Sequence, residues 1–205
     1  MDVLDTQRIG SAKRALRQVT GVSLRDSHLR GPYEQLIRSR YETAHGARLL
    51  QFMPNLLGCV GMDDRPLAVL GYQSAAKGPL FLEQYLDMPI EEILRARGET
   101  VGPASRVDRH RIVEVGNFAS LDRLATMELL QQLPSVLAQE GFEWLVFTGT
   151  PRVRELVTSF GAPLLDLGDA EPQRLQQHDD RWGRYYESAP RVMAGWLGHC
   201  VQVAA

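Results

Sequence analysis

Cysteine is almost missing from this chain, with two residues, Cys59 and Cys200, in 205. So low a count builds no disulfide framework and reads as reduced, cytoplasmic thiols. Long apolar runs are missing too. The longest uncharged stretches, Leu49 to Met62 and Val192 to Ala205, fall short of the about 20 apolar residues a helix needs to cross a bilayer. Pro54 and Asn55 interrupt the first of them. The opening MDVLDTQRIG carries charges where a secretory signal has an unbroken apolar core. The expectation is a soluble, cytoplasmic protein with no transmembrane segment. Neither sign of charge prevails: 23 Lys and Arg stand against 25 Asp and Glu. That balance argues against nucleic acid or an anionic membrane as a partner. The five histidines show no ligand spacing, so no metal site is expected. No Gly-x-Ser-x-Gly turn supports a serine hydrolase, and Cys59 beside Gly58 reads as a small buried residue.

What is present is an ordinary globular composition, 44% apolar and 23% charged, in a length suited to one domain with a substantial core or to a domain with a small appendage. The chain is organised around Arg111 to Gly161. RIVEVGNFAS is rich in β-branched residues and ends in small polar ones, as a buried strand does. Leu129, Leu130, Leu133, Val136 and Leu137 then recur at helical spacing before Gly141. Trp144 to Phe147 is a second apolar β-prone run, halted at Thr148-Gly149-Thr150, and Pro151 opens a further helix that ends near Gly161. Strand, helix, strand, helix at this spacing predicts a right-handed crossover and two parallel strands. Ligands bind beyond the carboxyl ends of such strands, here Gly116 to Ser120 and Thr148 to Thr150.

Elsewhere, residues 1–31 read as a basic N-terminal extension and 32–205 as a single domain. From Pro32, Tyr33, Leu36, Ile37, Tyr41 and Ala44 predict a helix stopped by Gly46. Asn55 to Met62 and Pro66 to Ala75, joined by Asp63-Asp64-Arg65, predict a hairpin. Leu80 to Leu86 reads as another strand, and Asp87 as the N-cap of a helix running to Arg97. Residues 98–108 read as a mobile loop. Leu164 to Leu167 is a short strand, Asp169 caps a helix to about Gln177, and the chain closes with a strand or hairpin from Arg191. The fold class is α/β (α+β): a mixed sheet with a central parallel strand pair and flanking helices.

Four segments carry a resemblance: GPLFLEQYLDMPIEE (Gly78 to Glu92), RIVEVGNFAS (Arg111 to Ser120), GFEWLVFTGTPRVREL (Gly141 to Leu156) and WGRYYESAPRVMAG (Trp182 to Gly195). In that order they resemble the thermostable hemolysin family. More distantly the chain is similar to the Gcn5-related N-acetyltransferase superfamily, in particular its autoinducer-synthase branch. That branch has a strand ending Glu-x-Ser-Arg-Phe. Glu114 and Phe118 match, whereas Gly116 and Asn117 replace the Ser and Arg. The superfamily's glycine turn for the CoA diphosphate is represented by Ser120-Leu121-Asp122-Arg123, which has no glycine and an acid that repels phosphate.

The resemblance implies a Gcn5-related N-acetyltransferase-like fold and an N-acyltransferase. It would move an acyl group from an acyl-CoA or acyl carrier protein thioester, a co-substrate and not a tightly bound cofactor, to a small-molecule amine acceptor. The family name implies the alternative, a membrane-active hemolysin that acts on bilayers without catalysis. Acyl transfer needs a base for the amine and donors for the thioester. Glu114, an acid inside an apolar strand, is the first candidate base, since burial raises a carboxylate pKa. Glu83 is the second, and Tyr186 is the candidate acid for the leaving thiolate. Asn117, Phe118, Ala119, Ser120, Arg123, Thr148 and Thr150 are the candidate donor-binding residues. Trp182 and Tyr185 are candidates for the wall of an acyl tunnel. The oligomeric state stays open between monomer and homodimer.

Overall fold

The computed structural model describes residues 17–104, 107–161, 163–176 and 180–199. Its frame is a seven-stranded sheet: β1 (Gln18–Val22), β2 (Asn55–Val60), β3 (Pro66–Ser74), β4 (Ile112–Ser120), β5 (Trp144–Gly149), β6 (Leu165–Asp169) and β7 (Arg191–Trp196). The spatial order is β1-β2-β3-β4-β5-β7-β6. The central pair β4 and β5 is parallel, and every other neighbouring pair is antiparallel. The helices are α1 (Ser27–His45), α2 (Ile90–Arg97), α3 (Arg123–Gln139) and α4 (Pro151–Thr158).

Alternation along the strands decides which helix covers which face. Val113 of β4 and Leu57 and Leu70 of β2 and β3 face Ala125, Leu129, Leu133 and Leu137 of α3. The crossovers β4–α3–β5 and β5–α4–β6 step the same way along the sheet, so a common right hand places α3 and α4 on one face. The opposite face is divided in two. Tyr33, Leu36 and Ile37 of α1 pack on Leu56, Val69 and Ala119. Leu82, Tyr85 and α2 residues Ile90 and Leu94 pack on Ile112, Trp144 and Val146.

The βαβα unit and the hairpin stand where periodicity and turn residues predict them. Other segments differ, each for a reason outside its own sequence. The boundary expected at residue 31 does not separate an arm from the domain. Gln18–Val22 is an edge strand paired with β2, α1 begins at Ser27, and Arg30 is 2% exposed, donating to the carbonyls of Met53 and Pro54. Residues 1–16 lie outside the described residues.

Leu80 to Leu86 is not a strand. Phe81–Tyr85 forms a 3-10 turn, because the backbone N–H groups of Phe81 and Leu82 point into the sheet at Glu114 rather than along a ladder. Pro89, not Asp87, precedes α2, and Asp87 pairs with Arg174 instead. Val101, Ala104 and Val107 of the segment expected to be mobile are buried in the core. The helix expected from Asp169 is only a 3-10 turn at Pro172–Arg174 within the described residues.

Candidate functional site

The site begins with one extra residue. Gly71 of β3 pairs with Gly116, but the next aligned pair is Val69 with Ala119, so β4 carries a bulge at residues 116–118. Asn117 sits in the left-handed region at φ 50°, a conformation Asn tolerates better than most residues. Its Oδ1 accepts a hydrogen bond from Met53 N at 2.8 Å, which fixes the bulge to the segment before β2. The Met53 methyl packs close over Gly116, 2.8 Å from where a Cβ would stand. The bulge turns β4 away from β5. Their ladder ends at Val115↔Phe147, and beyond it the two strand edges are not paired with each other.

A cleft of about 880 Å³ occupies this gap. Its β4 wall is Val115, Gly116, Phe118, Ala119 and Ser120, and its β5 wall includes Phe147 and Thr148, with Thr150 just beyond the strand. One arm is apolar and runs between α3 and α4. Leu130, Leu133 and Pro134 stand on one side, and Val153, Leu156, Val157 and Phe160 on the other. None of the α4 residues is buried, so its apolar side lines the arm without closing it. The other arm is polar and reaches the end of α1, where Arg40, Tyr41 and His45 meet Tyr185. Arg123 and Arg152 line the cleft as well. Thr148 Oγ1 is buried and has no hydrogen-bond partner among the described residues. A buried hydroxyl left unpaired costs free energy.

Of the candidate donor-binding residues, Phe118, Ala119, Ser120, Arg123, Thr148 and Thr150 all line the cleft. Asn117 does not, because its side chain is used to hold the bulge. Ser120 and Asp122 also have local duties. Ser120 Oγ accepts from Thr126 Oγ1 at 2.6 Å, while Asp122 Oδ1 accepts from Ala125 N at 2.7 Å and pairs with Arg17 at 3.1 Å. The start of α3, where an anion would otherwise sit, is therefore capped by a carboxylate.

The side chains expected to move protons are engaged in the scaffold and are not among the lining residues. Glu114 is 3% exposed, and its carboxylate accepts from Gln73 Nε2 at 2.9 Å, Phe81 N at 2.9 Å and Leu82 N at 3.0 Å. Burial raises its pKa, the hydrogen bonds pulling the other way. Glu83 accepts from Leu80 N and Ile90 N and forms a two-pronged pair with Arg109 at 2.7 and 3.0 Å. Burial works against its charge, but Arg109 and the two amides outweigh it and lower its pKa. Tyr186 shares a 2.6 Å hydrogen bond with Tyr85, and burial raises its pKa. Trp182 packs on Phe81 and Tyr186, so among the three loop aromatics it is Tyr185 that meets the cleft.

Sequence reasoning missed the α1 contribution. Tyr41 and His45, four residues apart, share one helix face, and that spacing was a usable signal. Nothing local said that this face meets the end of β4. Among the described residues no cluster of His, Cys, Asp or Glu is gathered for a metal ion.

The same fold occurs in solved structures of low sequence identity. The AHL synthase LasI superposes with a TM-score of 0.59 at 14% identity, over 88% of this chain and 90% of that one. FeeM, an N-acyl amino acid synthase from uncultured soil microbes, gives 0.54 at 14% identity over 90% and 93%. A putative N-acetyltransferase from Lactobacillus plantarum gives 0.52 at 13% identity over 89% and 99%. The chain thus has the architecture of the Gcn5-related N-acetyltransferases and the AHL synthases. No curated protein matches it in sequence. A family model does, over residues 24–201, nearly the whole chain: this protein belongs to the thermostable hemolysin family.

Proposed function

We propose that this protein is an N-acyltransferase that moves an acyl group from a thioester to a small-molecule amine. The observation that carries the reading is the cleft at the parted ends of β4 and β5, with an apolar arm on one side of the sheet and a polar arm on the other. An acyl chain suits the first arm, since apolar surface gains free energy when a chain covers it. The amine acceptor suits the second. The thioester then lies between them, where Thr148 Oγ1 lacks a partner. Related folds support this chemistry: one solved neighbour, a CoA-dependent acyl-homoserine lactone synthase, is named as holding SAM and isopentyl-CoA, and FeeM is named as an N-acyl amino acid synthase. The Asp122 cap at α3 disfavours a free CoA diphosphate and favours a carrier protein, which presents pantetheine through one phosphate.

Thermal-shift titration with acyl-CoAs and acyl-pantetheines of increasing length tests the reading, with free CoA as control. A ligand at 100 times its Kd adds about 2.7 kcal/mol, which moves the melting midpoint of a chain this long by about 5–10 °C. The expected shift grows with chain length. No shift at any length sinks the proposal. Thr148→Val is expected to keep the midpoint within about 1 °C and weaken dodecanoyl-pantetheine binding about tenfold, the loss of one good hydrogen bond. Unchanged affinity would remove Thr148 from the thioester's surroundings.

A further inference from the structure

We infer that His45 is the general base of the transfer, an assignment that rests on the acyltransferase reading above. His45 is among the residues lining the polar arm of the cleft that β4 also walls. It stands edge-on to Tyr185 with ring centres 5.3 Å apart and tilted against Tyr41 at 6.0 Å. Neither ring nitrogen has a hydrogen-bond partner among the described residues, in contrast to the carboxylates of Glu114 and Glu83. The backbone around it is clamped. The His45 carbonyl accepts from Arg184 N at 2.8 Å, and Gly183 approaches so closely that a Cβ there would lie 2.2 Å from that carbonyl oxygen.

The other titratable groups facing the cleft are poor bases. On α1, Arg40 is a cation and burial pushes the Tyr41 hydroxyl up to about 12. Burial also pushes Tyr185, from the aromatic loop, well above its ordinary value. At the start of α3, Asp122 is occupied by its cap and by Arg17, and Arg123 is a cation. On α4, Arg152 is a cation and Glu155 points its carboxylate into solvent rather than into a protected site. Burial and the nearby Arg184 charge lower the His45 pKa, which leaves its imidazole neutral at physiological pH with a lone pair to offer.

In the step assigned, the amine nitrogen bonds to the thioester carbonyl carbon and the C–S bond breaks. His45 accepts the proton the nitrogen loses and returns it to the departing thiolate. Amide and free thiol are formed, with no net change in the protein.

Dodecanoyl-pantetheine carries the reacting portion common to CoA and carrier-protein donors, and is the probe. Its binding is followed by thermal shift, and thiol release is followed from about pH 5 to 9 with a panel of primary amines, in wild type and in His45→Gln. The expected result is equal binding and equal melting midpoints, with thiol release about 100-fold slower in the variant. The wild-type rate falls on the acid side as His45 protonates, and the variant loses that limb. Added imidazole restores part of the rate in His45→Ala. A His45→Gln rate within about threefold of wild type, with the same pH profile, overturns the assignment. So does a wild type that binds the probe but releases no thiol with any amine, and the acyl-binding reading then survives. A wild type that does not bind the probe fails the reading beneath, and His45 falls with it.

Discussion

Glu114→Ala is expected to lower the melting midpoint by about 10 °C, the largest stability loss we anticipate from a single change near the site. The carboxylate sits at the centre of the molecule and is the acceptor for two backbone amides of the 3-10 turn and for Gln73. That turn brings Leu82 and Tyr85 onto the sheet. Alanine would leave those buried donors unpaired, at about 1–3 kcal/mol each without full additivity, so a net loss of about 3 kcal/mol is expected. For a chain of this length each kcal/mol is worth about 2–4 °C. The pH dependence has a defined sign. Because burial raises the folded-state pKa of Glu114, its protonated form is favoured in the native protein over the unfolded chain. Its contribution is therefore fully present below the unfolded value of about 4.3 and declines as pH rises through the folded value. The gap between wild type and variant should narrow in the same direction. A variant that melts within about 2 °C of wild type would show that the anchor is unimportant, and Glu114 would return as a candidate base.

Filling the apolar arm should abolish chain-length selectivity without harming the fold. Leu130 of α3 and Val153 of α4 line that arm, and both are half-buried. In the wild type each added methylene that reaches the arm is worth up to about 0.8 kcal/mol, or about a fourfold fall in Kd. From butanoyl to dodecanoyl donors the full sum would be about 6 kcal/mol. An arm open on one side should realise about half of that, roughly a 100-fold preference for the longer chain. Leu130→Trp and Val153→Trp place an indole where the chain would lie. Titration calorimetry is expected to give a long-to-short ratio near one in either variant, with butanoyl binding kept. If both variants retain the wild-type ratio, the acyl chain lies elsewhere.

How far the sequence could be read followed how local each determinant is. β4, α3, β5 and α4 were legible because strand composition, helical spacing and Gly or Pro at the ends act within a few residues. Their succession carries the handedness rule with it, and so the position of the cleft. That Phe118, Ala119, Ser120, Thr148 and Thr150 line the cleft follows from the same local signals, as the ends of two parallel strands, while Arg123 lines it from the start of α3. The strand expected at Leu80 to Leu86 failed because its amides bond to a carboxylate more than thirty residues later. β1 was missed because QVTGV is short and buries only Val22, too little for alternation to register.

By itself the sequence determined the mixed sheet, its parallel centre and the strand ends that wall the cleft, all products of short-range periodicity and turn chemistry. Only the tertiary structure decided which polar side chains remain free for chemistry. Glu114 and Glu83 are acids in β- and turn-forming stretches, and no local feature tells whether they face a cleft or the amides that pack over them. His45 closes a helix more than sixty residues before β4, and the sheet alone brings the two together. A hydrogen bond is saturated or left open by whatever the fold places opposite it, and that partner is chosen across the chain, not along it.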